Sequence, residues 1–340
     1  MEMSNIYFDY PWNQLHNLNI FIGGRGTGKT FWALKNVIVH REKFILLRDT
    51  QTVVDKVVRG GNLYNPIKFK YPDFPDVEMV TDDGLYKFCS MKKVEERKIP
   101  DHTYGYICAL STFKNLRGVD FSDVETIIFD EFIPEAGSVI QKHQGTIFLN
   151  MYETVNRNRE FDGCPPVKII LLSNSNSIYS DILESLGCHR IIEQMTENVY
   201  ENDDIHIEFI SNDTFREKKQ NTFLYRIANN NEFVQMAIDN TFGEYTDRIR
   251  TNVSLMKSKV ILSINGKYTL LELQDGSYYW LEKQYKNVKL DFDMNSSNER
   301  MLYWLTFSSQ LKNEYIAGNM YFDSLYTKRS VLELSNINKK

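Results

Sequence analysis

Residues 18–30 constrain the fold of this chain more than any other stretch. The apolar run Leu18-Asn19-Ile20-Phe21-Ile22 has strand length and leads into Gly23-Gly24-Arg25-Gly26-Thr27-Gly28-Lys29-Thr30. Helix-competent residues, Phe31-Trp32-Ala33-Leu34-Lys35, follow. The pattern is G-x-x-x-x-G-K-[ST] with a strand before it and a helix after it, the context a phosphate-binding loop requires. Glycines let the backbone bend until several N–H groups face one phosphate, and the new helix adds its positive end. Lys29 is placed to reach the β- and γ-phosphates of ATP, and the Thr30 hydroxyl to ligate Mg²⁺.

A second signal sits about 100 residues on. Val124-Glu125-Thr126-Ile127-Ile128-Phe129 reads as a strand closed by Asp130-Glu131. One carboxylate is needed for the metal, which falls to Asp130. The other, Glu131, orients and deprotonates an attacking water. A Glu in that place points to hydrolysis rather than to phosphoryl transfer onto a small molecule. Two further strand ends face the same crevice in an open parallel sheet. Phe44-Ile45-Leu46-Leu47 ends in Arg48, and Val167-Lys168-Ile169-Ile170-Leu171-Leu172 ends in Ser173-Asn174. Asn174 can bond the γ-phosphate or the water. With Tyr104–Leu110 as a fifth strand, the class is α/β: a mostly parallel sheet with helices on both faces.

Between 55 and 103 the polar pattern predicts loops and one helix over 84–97, and 145–160 predicts another helix. Ahead of the loop, Tyr7, Tyr10 and Trp12 suit either a base platform or a cover for the core edge. Beyond 198 the character changes. Residues 211–240 read as polar and helical. Asn265-Gly266 and Asp275-Gly276 then mark two hairpin turns between β-patterned runs, and 297–318 reads as an amphipathic helix. The expected division is an ATPase domain over 1–198, a lid or linker over 199–246, and a small α+β domain over 247–340. The four cysteines form no C-x-x-C pair and predict reduced thiols. No apolar run approaches the ~20 residues of a membrane helix. A net charge of -5 argues against coating nucleic acid by bulk charge.

Four stretches together resemble the phi29-type bacteriophage DNA-packaging ATPases, an additional-strand, catalytic-Glu (ASCE) class of P-loop motor. They are Ile22–Lys29, Ile127-Ile128-Phe129-Asp130-Glu131-Phe132-Ile133, Glu153-Thr154-Val155-Asn156-Arg157-Asn158-Arg159-Glu160 and Leu172-Ser173-Asn174. The resemblance implies a homo-oligomeric ring, five subunits, at the portal (connector) of a prohead in the host cytoplasm, driving double-stranded DNA inward. It implies that Arg157 reaches a neighbouring subunit's nucleotide as an arginine finger, and that Lys114 acts across the same interface. It also implies a degenerate RNase H-like last domain, through which some relatives bind a structural packaging RNA. Glu272, Asp275 and Asp323 are the carboxylates available there, without the convergence a two-metal nuclease needs.

A motor must ignore sequence, so phosphate contacts are expected. Lys142 in the loop after Glu131 is the first candidate, and the cluster Lys92, Lys93, Arg97 and Lys98 the second. The competing classes are a hexameric helicase or remodelling ATPase, a nucleotide-dependent switch, and a terminase with an active nuclease. A GTPase is disfavoured by the lack of an Asn-Lys-x-Asp motif.

Overall fold

The computed structural model describes residues 6–82, 84–95, 97–116, 118–133, 143–174, 180–195, 197–227, 248–250, 253–286 and 288–335. The chain divides into two compact units, Met1–Gly243 and Glu244–Lys340.

The first unit is built on one nine-stranded sheet in the order β3-β4-β5-β2-β6-β7-β1-β9-β8. The strands are β1 (Leu18–Gly23), β2 (Phe44–Arg48), β3 (Glu78–Asp82), β4 (Leu85–Val94), β5 (Arg97–Ala109), β6 (Thr126–Asp130), β7 (Lys168–Ser173), β8 (Val199–Glu201) and β9 (Ile205–Ile210). From β5 to β9 every neighbouring pair is parallel; β3, β4 and β8 add antiparallel edges. Among the described residues the first unit's helices are α1 (Lys29–Val39), α2 (Gln51–Gly60), α3 (Asn65–Lys70), α4 (Gln144–Asn156), α5 (Asp181–Ser185), α6 (Cys188–Gln194), α7 (Asp213–Gln220) and α8 (Phe223–Ile227).

β1 is buried along its whole length, as a central parallel strand must be. Its one polar side chain, Asn19, donates to the His16 and Ile169 carbonyls, so no polar group is left unsatisfied. The core on one side joins Phe21, Trp32, Val37, Leu46 and Ile170 with Trp12 and Tyr64. Packing is tight where β5 meets β2. A Cβ on Gly105 would lie 2.4 Å from the Phe44 carbonyl oxygen and 2.6 Å from its ring. Gly105→Ala is therefore expected to lose about 1–3 kcal/mol of stability, the usual cost of overpacking. A urea midpoint shifted at unchanged slope would show it.

Two expectations are corrected here. The helix predicted over 84–97 is instead the hairpin of β4 and β5. Its base buries Leu85, Phe88 and Cys89, and its far end carries the charged residues. Lys92, Lys93, Lys98 and their neighbours suit a helix locally, but pairing with β3 and β5 overrides that preference. The domain edge predicted at 198 also falls inside the sheet, because β9 lies parallel to β1 over its full length.

The second unit carries a five-stranded sheet of β10 (Lys259–Ile264), β11 (Tyr268–Glu272), β12 (Tyr278–Glu282), β13 (Asp291–Phe292) and β14 (Met320–Phe322), in the order β13-β10-β11-β12-β14. Both hairpin turns fall where predicted, and 297–317 is helical throughout with one wider turn at Trp304–Ser308. The three carboxylates singled out in this region have separate local roles. Glu272 lies 3.8 Å from Lys259. Asp275 accepts bonds from Ser277 within its turn. Asp323 accepts from the Glu282 N–H.

Candidate active site

β7 runs between β1 and β6, so three strand ends open side by side at the carboxyl edge of the sheet. β1 releases the phosphate loop, β6 ends in Asp130 and β7 ends in Ser173. A cavity of about 370 Å³ lies over them, lined by the loop from Arg25 to Phe31 together with Asp130, Glu131, Ser173 and Asn174. Gly28 caps the start of α1 at φ 96°, a conformation glycine adopts without strain. Gly23 and Gly24 supply the carbonyls behind the cradle. Lys29 Nζ donates to both, at 2.8 and 3.1 Å, and to Thr27 Oγ1 at 3.2 Å. Burial pushes the Lys29 ammonium down to about 8, against the pull of Asp130.

The Thr30 hydroxyl donates to Asp130 Oδ1 at 2.9 Å, joining the two motifs across 100 residues. A hydroxyl beside a carboxylate is a hard oxygen donor pair of the kind Mg²⁺ takes. Asp130 is buried, and desolvation raises its pKa although Arg48 opposes this. Arg48 Nη1 lies 3.0 Å from both Asp130 Oδ2 and Glu131 Oε2. The Arg at the end of β2 thus clamps both carboxylates. Glu131 is half-exposed to the cavity and held at φ 60°, an uncommon conformation for a non-glycine residue. Removing one partner of a buried ion pair strands the other charge. Arg48→Ala is therefore expected to cost about 3 kcal/mol of stability, with part of it returned by magnesium. Thermal melting with and without the cation tests this.

Arg157 lies elsewhere. It follows α4 in a left-handed turn with Asn158, at φ 46° and 56°. Its neighbours pin the corner: Asn156 bonds Glu160 and the Val167 N–H, and Arg159 donates to the Val124 carbonyl at 2.6 Å. Val124 and Val167 precede β6 and β7, so Arg157 sits at the amino edge of the sheet, opposite its own cavity. Its guanidinium is half-exposed, bonded to the Val119 carbonyl and 3.5 Å from Asp120. Lys114 lies in a turn after β5, in a cleft with Phe113, Asn150, Met151 and Thr154. It is not among the residues lining the loop cavity of its own chain.

Residues 11–275 match the sequence profile of the podovirus DNA encapsidation protein (Gp16) family. The chain belongs to that family. The DNA packaging protein of Bacillus phage phi29 is 26% identical over 335 residues, which span 93% of this chain and 92% of that protein. The DNA packaging protein of Bacillus phage B103 is 28% identical over 289 residues, 84% of this chain and 80% of that protein. The fold matches a chain in the solved bacteriophage phi29 viral genome packaging motor assembly. The TM-score is 0.62 at 21% identity, covering 98% of this chain and 100% of that one.

Within this family member the aromatic lead-in divides by role. Trp12 is buried against Trp32 and donates to Glu42, and Tyr10 packs on Phe21, so both cover the core edge. Tyr7 is half-exposed beside Gly28. The candidate Lys142 lies outside the described residues. Of the second cluster, Lys92 and Lys98 pair with Asp101 and Glu78 at 2.7 Å, while Lys93 and Arg97 stand exposed on the β4–β5 hairpin. Sequence reading passed over Lys219 on α7, whose Nζ donates to the Arg25 carbonyl of the phosphate loop. Lying almost 200 residues away in a mixed-charge run, it carries no local signal.

Proposed function

We propose that this chain is an ATP-driven translocase that packages double-stranded phage DNA into a prohead. It works as a homo-oligomeric ring, five subunits in number, on the portal (connector) in the host cytoplasm. The observation that carries the reading is the Thr30–Asp130 contact at 2.9 Å, with Lys29 and Glu131 in the same cavity. That set suits hydrolysis of a nucleoside triphosphate, in a family whose curated relatives are named DNA packaging proteins.

The chemistry follows from the residues. Loop N–H groups and Lys29 hold the phosphates of ATP. Thr30 and Asp130 would hold Mg²⁺, which neutralises phosphate charge when bound. Arg48 fixes the Glu131 carboxylate, which accepts the proton of the attacking water, and Asn174 orients that water or the γ-phosphate. Arg157 faces away from its own cavity, a placement that suits a finger supplied in trans. The exposed ion pair with Asp120 is of a kind that exchanges readily for a neighbour's phosphate. DNA is gripped through phosphates by local basic groups, Lys142 and the hairpin Lys93 and Arg97, and a structural packaging RNA is a further partner to test.

The test is DNase protection of duplex DNA by proheads supplied with this chain, ATP and magnesium. Protected DNA with the wild-type chain and none with Lys29→Ala is expected. Strand separation on forked DNA without prohead filling would instead favour a helicase.

A further inference from the structure

Lys219 brings an ammonium group to the phosphate loop from outside every motif. Helix α7 is capped by Asn212, whose side chain accepts from the Phe215 N–H and donates to the Ile6 carbonyl. The segment after Ile6 is tied to the loop in turn, since the Phe8 N–H donates to the Thr27 carbonyl at 2.8 Å. The start of α7 is thereby fixed against the loop. Phe215 lies 3.9 Å from the point where a side chain on Gly26 would begin. Lys219 is held between the rings of Phe215 and Tyr225, 5.1 and 5.2 Å from their centroids, and bonds the Arg25 carbonyl.

Lys29 occupies the neighbouring stretch of loop, on the Gly23 and Gly24 carbonyls. Lys219 is among the charges that act on the Lys29 ammonium, and Arg25 acts on Lys219. Lys29 and Lys219 thus both bond carbonyls of the stretch Gly23-Gly24-Arg25, at the end of the loop where Lys29 reaches the γ-phosphate. Asp130 and Glu131 offset Lys29, but the contact recorded for Lys219 on the loop is a neutral carbonyl. Like charges drawn together and partly desolvated are unfavourable until an anion joins them.

We propose that Lys219 is a second phosphate-binding cation, delivered by α7 to the γ-phosphate of bound ATP. The inference rests on the ATPase reading above. The test is calorimetric binding of a non-hydrolysable ATP analogue and of ADP, each with magnesium, to the full chain. Lys219→Met keeps the apolar stem between the two rings. It should weaken the analogue about tenfold or more, the loss of one charge-assisted hydrogen bond, and leave ADP within about twofold. Lys219→Arg should keep most of the analogue's affinity. Unchanged binding of the analogue, or equal weakening of both nucleotides, would overturn the proposal and reduce Lys219 to an anchor for α7. A wild-type chain that binds neither nucleotide overturns the ATPase reading together with this one.

Discussion

An Arg157→Ala variant is expected to hydrolyse ATP roughly 10³- to 10⁵-fold more slowly than the wild-type protein, the range known for loss of an arginine finger. Its binding of ATP should be nearly unchanged, because the guanidinium lies at the opposite edge of the sheet from the cavity of its own chain. Mixing separates a finger in trans from a local structural role. Lys29→Ala keeps its Arg157 but lacks the loop cation. Added to Arg157→Ala, it should restore part of the activity at interfaces where its Arg meets an intact cavity. Two inert proteins that co-assemble and stay inert would show that Arg157 only closes the corner after α4. A stability readout adds a second check. Asn156, Arg159 and Glu160 hold that corner, so Arg157→Ala should melt close to wild type while Asn156→Ala should not.

The second large effect is expected at Glu131. Glu131→Gln keeps the side chain's size and its hydrogen bond to Arg48 but cannot take a proton. Hydrolysis should fall about 10²- to 10⁴-fold, the usual contribution of a positioned general base. ATP should remain bound, because Lys29, the loop amides and the Thr30–Asp130 pair are untouched. Rapid filtration of labelled ATP against a single-turnover assay measures both quantities. Undiminished turnover would remove the general-base role. A parallel loss of binding would mean that Glu131 matters through its clamp on Arg48 instead.

How much of this was legible in the sequence depended on how local each signal was. The phosphate loop is contiguous, and its glycines, lysine and threonine act on one another within eight residues. Asp130-Glu131 closes a short apolar run that reads as a strand, a weak signal alone that the phosphate loop about 100 residues earlier makes specific. Arg48 and Asn174 could be placed because strand ends in a parallel sheet open at one edge. The role assigned to Arg157 came from likeness to a family, and nothing in the local chain shows that it points away from its own cavity.

By itself the sequence determined the chemistry on offer: a loop for phosphate, a carboxylate pair, and an apolar pattern that points to a mostly parallel sheet. Tertiary structure alone decided the rest. Lysines that favour a helix in isolation lie in the β4–β5 hairpin, because hydrogen bonds to distant strands outweigh propensities of a few tenths of a kcal/mol per residue. Only packing laid β7 between β1 and β6, set Arg157 at the far edge, and carried Lys219 back to the loop. Such juxtapositions arise from contacts between residues remote in the chain, which no local window of sequence contains.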